Sequence, residues 1–228
     1  MGEKTDYSVL CAGHSLMVGI IGTTGREVKG EGFVGSVEAT RVFGDMPKKL
    51  GIGIRMDVAA RTGSSIAWSQ ARLDSKKKGQ YDVVILYTGG NDLGVGRKET
   101  PEDAADRVIE RLAKLYYTAA KTLGAKKVFM VMFMESSDPK ARDSPKETAA
   151  RIVNDWLRRN VPQEDLIDLN KHPRLGELGK NWKEGSHPTP AGYQIMRDII
   201  RERFEEWHKK RAGTKAELPP RELARMTA

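Results

Sequence analysis

Four short segments of the 228-residue sequence hold between them a nucleophile, a base, a carboxylate and amide donors: Gly13-His14-Ser15-Leu16, Thr62-Gly63-Ser64-Ser65, Gly89-Gly90-Asn91-Asp92 and Glu184-Gly185-Ser186-His187-Pro188-Thr189. A serine hydroxyl is a poor nucleophile at neutral pH until a neighbouring base takes its proton, and a histidine of near-neutral pKa is the usual partner. Ser15 and His187 fit these roles. Glu184, three residues before His187, is close enough in a turn for its carboxylate to accept the imidazole proton that faces away from Ser15, which would fix the tautomer and stabilise the imidazolium. Acyl transfer also needs donors aimed at the developing oxyanion. The backbone N–H groups of Ser15 and Gly63 and the side-chain amide of Asn91 could supply three, each worth ~2.7–4 kcal/mol by analogy with removing one such donor from another serine enzyme. Taken singly, each residue has a plainer reading: Ser15 a helix cap, Gly63 a tight turn, Asn91 a self-bonding loop amide, His187 a surface histidine. Their joint order along the chain favours the site.

Such groups meet only if the segments carrying them finish on one edge, as loops do at the carboxyl ends of strands in an open α/β sheet. Short apolar runs at 7–12, 52–60, 82–88, 127–133 and 166–169 alternate with helical patterns. That alternation predicts a parallel sheet covered by helices on both faces, and the lack of period-two patterning in several runs fits strands buried on both sides. Thr100-Pro101-Glu102-Asp103 opens a helix whose inner face is Val108, Leu112, Leu115 and Ala119, and Gly124 ends it. Ser144-Pro145-Lys146-Glu147 is a capping box for a second helix, with Ala149, Ile152, Val153 and Trp156 as its apolar face. Thr189-Pro190 opens a third, with a stripe of Met196, Ile199, Ile200, Phe204 and Trp207 that reads as core.

Residues 1–212 are read as one domain, with a glycine-rich insertion near 22–50 whose segment 22–35 looks like a long loop or hairpin. Residues 213–228, polar and basic with Gly213 and Pro219-Pro220, are read as a C-terminal extension that wraps the surface, meets a partner or stays mobile.

The set GHSL around Ser15, TGSS around Gly63, GGND around Asn91 and EGSHPTPAGY around His187 resembles the SGNH hydrolases, also called GDSL-type esterases and lipases, over most of the chain. The resemblance implies a three-layer α/β/α sandwich of flavodoxin type around a parallel sheet of about five strands, a form the loop geometry of such sheets suits. It also implies ester hydrolysis through a serine-histidine site, with Ser15, Gly63, Asn91 and His187 in the four name-giving positions and no metal or organic cofactor. Two positions depart from the family pattern. His14 stands where an aspartate usually precedes the nucleophile, and Glu184 stands where an aspartate usually pairs with the histidine. The expectation is a serine esterase acting through an acyl-enzyme on a small-molecule or glycan ester with a short, acetyl-like acyl group. The alternatives are an acyltransferase, in which a sugar or other alcohol resolves the acyl-enzyme, and a non-catalytic binding module on the same fold.

Composition limits the rest. With 39% hydrophobic and 31% charged residues the chain is expected to bury a core, and its single cysteine excludes an intramolecular disulfide and a multi-cysteine zinc site. The longest apolar run, from Val128 to Met134, falls short of the ~18 residues needed to cross a bilayer, and the start MGEKTDYS is charged where a signal peptide would be apolar. These features suggest a cytoplasmic protein and leave the compartment otherwise open. The formal charge of +8 allows an anionic polymer as a secondary partner through a basic surface. Gly22-Thr23-Thr24-Gly25 lacks the Lys-Ser/Thr of a phosphate loop, and Gly51 and Gly53 enter a strand instead of leaving one. His172 and His208 are isolated, and Cys11 sits inside a strand run where a small buried role is expected.

Overall fold

The computed structural model describes residues 6–18, 42–135, 143–171, 188 and 190–213. The glycine-rich stretch at 22–35, His172, Glu184, His187 and the extension beyond Gly213 lie outside those residues. Five strands form at the five apolar runs: β1 Tyr7–Gly13, β2 Ile54–Ala60, β3 Val83–Tyr87, β4 Lys127–Val131 and β5 Leu166–Ile167. All pair in parallel, in the order β2-β1-β3-β4-β5. The sheet is doubly wound, with its order reversing between β1 and β3, the point at which sheets of this kind take their ligands.

The helices are α1 Ser15–Val18, α2 Met46–Leu50, α3 Ile66–Asp74, α4 Pro101–Tyr117, α5 Pro145–Asn160 and α6 Pro190–Gly213. Successive strand residues point to opposite faces, and the core divides on that period. Leu10, Ala12, Val84 and Leu86 pack with Leu73 of α3, Val108 and Leu112 of α4 and Val153 of α5 on one face. Val9, Cys11, Val83, Ile85 and Tyr87 pack with Met17 of α1, Met46 of α2 and Met196, Ile200 and Phe204 of α6 on the other. This is the expected three-layer α/β/α arrangement around a five-stranded parallel sheet. Val42 and Phe43, at the end of the 22–50 stretch, belong to the second core, where the Phe43 ring centroid lies 4.8 Å from that of Phe204.

Helix α4 begins as its sequence dictates. Thr100 Oγ1 accepts the Asp103 N–H at 3.1 Å, and the Asp103 carboxylate accepts the Thr100 N–H at 2.9 Å. The backbone hydrogen bond from Thr100 holds the Asp103 carboxyl below its usual range. The helix runs on through a π-helical turn, Thr118–Thr122, and the chain leaves through Gly124 at φ +68°.

Helix α5 is turned relative to the stripe read from its sequence. Ala149 and Val153 are buried as expected, but Ala150, Asn154 and Leu157 share the inner face, while Ile152 and Trp156 are only partly buried. Asn154 explains the rotation. Fully buried, it accepts the Phe133 N–H at Oδ1 and donates to the Phe133 carbonyl from Nδ2, both at 2.9 Å, so it satisfies the backbone just beyond β4. Asn170 also donates to that carbonyl, at 2.8 Å, and accepts the Glu135 N–H at 2.9 Å. Replacing Asn154 by alanine should therefore cost about 1–3 kcal/mol, because the buried Phe133 N–H loses its partner while the Phe133 carbonyl keeps Asn170. Urea unfolding that shows a loss under 1 kcal/mol would remove Asn154 as the anchor of α5.

Candidate active site

Three of the predicted site residues lie just beyond three adjacent strands. Gly13 ends β1 opposite Ala60 of β2 and Tyr87 of β3, so the segments that follow these positions leave the sheet side by side. Ser15 is the first residue of α1 and is buried. The cap of that helix is His14: its Nδ1 accepts the Leu16 N–H at 3.3 Å and its carbonyl accepts the Met17 N–H at 2.9 Å. The capping role considered for Ser15 thus falls to its neighbour. An accepting Nδ1 leaves Nε2 to bear the ring proton. The His14 ring packs against Tyr87, centroids 5.2 Å apart, and faces Gly90, where a Cβ would lie 3.2 Å from Nε2.

Gly13 has no room for a side chain. A Cβ there would sit 2.2 Å from the Tyr87 carbonyl oxygen and 2.6 Å from Met17 Cγ. Its own carbonyl collects two donors from the loop after β2, the Arg61 N–H at 3.2 Å and Ser64 Oγ at 2.9 Å. Between them lies Gly63, exposed, with φ +70° and open space around its Cβ position. Glycine is required at Gly63 by backbone conformation and at Gly13 by close approach. The Gly63 N–H donates to none of the described residues.

The loop after β3 is tied to the same point. Asn91 Nδ2 donates to the Ser64 carbonyl at 2.9 Å. An amide carries two N–H bonds, and the second meets none of the described residues. Asp92 braces this loop: it is buried, accepts the Ile66 N–H at 2.9 Å and pairs with Arg111 at 3.2 Å. Arg107 adds further bonds to the carbonyls of Asp92 at 2.9 Å and Gly94 at 3.2 Å, while Glu99 grips its guanidinium. Glu99 itself is held below its usual carboxyl range by the Gly96 N–H and by Arg107.

His187 and Glu184 fall outside the described residues; Pro188, next to His187 in the chain, is buried. Cys11 is fully buried, and burial pushes its thiol up to about 12, so it is inert at neutral pH. Among the described residues no cluster of three His, Cys, Asp or Glu side chains could hold a metal ion. No described helix is long and apolar enough to cross a membrane. Beside Gly63 the loop opens a cleft of about 290 Å³ lined by Arg61, Thr62, Gly63, Ser64, Ser65 and Trp68. Neither Arg61 nor Trp68 stands out in the sequence; only their position flanking Thr62-Gly63-Ser64-Ser65 could have drawn attention to them.

A doubly wound sheet with three such loops gathered at its switch point defines an α/β protein with a crevice site at the strand ends. The chain belongs to the GDSL-like lipase/acylhydrolase family, whose model matches residues 13–195, and is an ester hydrolase of that family. Among solved structures it resembles the lipase Lip_vut3 from a goat rumen metagenome (18% identity, 86% of this chain and 97% of that one, TM-score 0.64). It also resembles the acetylxylan esterase Axe2 from Geobacillus stearothermophilus (20%, 90% and 95%, TM-score 0.58). A third likeness is to the psychrotrophic esterase EstA from a Pseudoalteromonas species (15%, 90% and 100%, TM-score 0.58). At these identities the likeness is one of fold. No curated protein sequence matches the chain.

The two glycines separate by experiment. Gly63→Ala, strained in backbone but not crowded, should cost roughly 1 kcal/mol of stability. Gly13→Ala, which forces β1 and β3 apart, should cost about 3 kcal/mol. Equal losses in urea denaturation would contradict the close approach at Gly13.

Proposed function

We propose that Ser15 is the nucleophile of a serine esterase, with His187 as its base and Glu184 orienting the imidazole. The Ser15 Oγ attacks the ester carbonyl as its proton passes to His187. The N–H groups of Ser15 and Gly63 and the second N–H of Asn91 receive the oxyanion. Collapse of the tetrahedral intermediate expels the alcohol, protonated by the imidazolium, and leaves an acyl-enzyme. Water, activated by the same imidazole, then releases the acid. Neither a metal nor an organic cofactor enters the scheme.

The observation that carries this reading is the chain of hydrogen bonds from Asn91 Nδ2 to the Ser64 carbonyl, and from Ser64 Oγ to the Gly13 carbonyl. It supports Asn91 and Gly63 acting at the turn that presents Ser15. The match of the family model from residue 13 to residue 195 supports it further, because that span includes every proposed site residue. The preferred substrate is an ester with a short, acetyl-like acyl group on a small molecule or glycan. That choice rests on the lack of an apolar lid segment in the sequence, which a long acyl chain would need.

Ser15→Ala should lower kcat on p-nitrophenyl acetate by roughly a thousandfold or more. Asn91→Ala should lower it by about a hundredfold with little change in KM, as expected of a donor that acts in the transition state. Rates on the parent should fall from acetate through butyrate to octanoate. A Ser15→Ala variant with parental turnover would overturn the assignment of the nucleophile, and a maximum at octanoate would overturn the short acyl pocket.

A further inference from the structure

Among the described residues, the cleft beside Gly63 carries positive charge with no counter-charge in its wall. Of its six lining residues one is cationic, Arg61, and none is a carboxylate. Arg61 is exposed, and among the described residues its guanidinium has no ion-pair or hydrogen-bond partner. On the described surface some arginines are paired and others, such as the exposed Arg97, are not. Arg55 binds Asp57 at 3.2 Å and Arg203 binds Glu206 at 3.1 Å. The wall also includes the half-buried indole of Trp68, over which the Arg72 guanidinium lies 5.0 Å from the ring centroid. Arg72 too has no carboxylate partner among the described residues. Arg72 thus lies over the ring that lines the cleft, and Arg61 lines the same cleft.

Gly63 and Ser64 also line the cleft, and Ser64 Oγ is bonded to the carbonyl of Gly13, two residues before Ser15. A ligand in the cleft thus lies beside the proposed oxyanion donors. We propose that this cleft receives the alcohol part of the ester substrate, and that this part carries an anionic group, a carboxylate or its equivalent, held by Arg61 while its carbon skeleton lies against Trp68. Guanidinium and carboxylate match as planar, two-pronged partners, so the same position would distinguish arginine from lysine. The inference rests on the short-acyl reading above: an acetyl-like group has no room for a charge, which leaves the alcohol part to bear it. An acidic sugar or an aromatic hydroxy acid, acetylated on its hydroxyl, has this chemistry.

The test pairs 3-acetoxybenzoate with its neutral methyl ester and measures kcat/KM for the full-length parent, Arg61→Gln and Arg61→Lys. Dividing the anionic rate by the neutral one for each protein, and then comparing proteins, cancels the intrinsic reactivity of the two phenols. The ratio should fall about tenfold from parent to Arg61→Gln, the scale of one hydrogen bond to a charged group. Arg61→Lys should restore it only in part, and added salt should shrink it in the parent. A ratio equal in parent and Arg61→Gln would overturn the inference. So would selectivity for 4-nitrophenyl hemisuccinate over 4-nitrophenyl butyrate that Arg61→Gln abolishes, since the anion would then sit in the acyl part.

Calorimetric binding of the amide 3-acetamidobenzoate and of its methyl ester, which report on the cleft without turnover, separates this inference from the catalytic one. Tighter binding of the anion that is lost in Arg61→Gln, with no hydrolysis of either ester, would keep the cleft and sink the esterase site. Hydrolysis without any anion preference in rate or binding would do the reverse.

Discussion

A side chain at position 13 would drive its Cβ to 2.2 Å from the Tyr87 carbonyl oxygen, so β1 and β3 can lie as they do only because Gly13 has none. Much of the site hangs on that approach. The Gly13 carbonyl is the acceptor for Arg61 N–H and Ser64 Oγ, Ser64 in turn accepts from Asn91, and His14 donates its N–H to Tyr87 at 3.3 Å. The segments after three strands are thereby locked to one another before any substrate arrives. Hydrogen-bond donors fixed in advance cost no reorganisation when charge develops, and this is what makes an oxyanion site effective.

The bracing behind the site has the same logic. Asn91 is exposed and short, yet its loop is held by a buried carboxylate at Asp92, which caps α3 through the Ile66 N–H and meets Arg111 on α4. Gly89, at φ +104°, brings the backbone past Phe133 and Ile66, where a Cβ would lie 2.9 Å from the phenyl ring. The apolar packing of one face and the polar ties of the strand ends thus converge on a few residues after β3. The opposite end of the sheet is secured separately, by Asp165 gripping both Tyr116 and the buried Lys127.

Much of this was legible in the residues alone. The five apolar runs became five strands because a strand buried on both faces needs no alternation, and Thr100 with Asp103 marked the start of α4. Helix α3 gave no comparable signal: it is nine residues long, and its cap, Ser65, belongs to the same four residues that were read as a loop of the site. Asn154 was hidden for a different reason. A polar residue reads as outward-facing until the backbone group it serves is known, and Phe133 lies 21 positions away in the chain. Of the proposed site residues, Ser15, Gly63 and Asn91 could be placed beyond strand ends from the sequence. Arg61 and Trp68 could not, because an arginine or tryptophan beside a loop is ordinary and only the cleft between them gives the pair a meaning.

Covalent trapping tests the central claim most directly. Incubating the parent with a p-nitrophenyl alkylphosphonate lets the nucleophilic oxygen displace p-nitrophenolate and keep the phosphonyl group, which intact-mass and fragment spectra can then locate. The account predicts one adduct, on Ser15, formed with loss of esterase activity and absent from Ser15→Ala. An adduct on Ser8, Ser64 or Ser65, or inactivation that persists in Ser15→Ala, would contradict it.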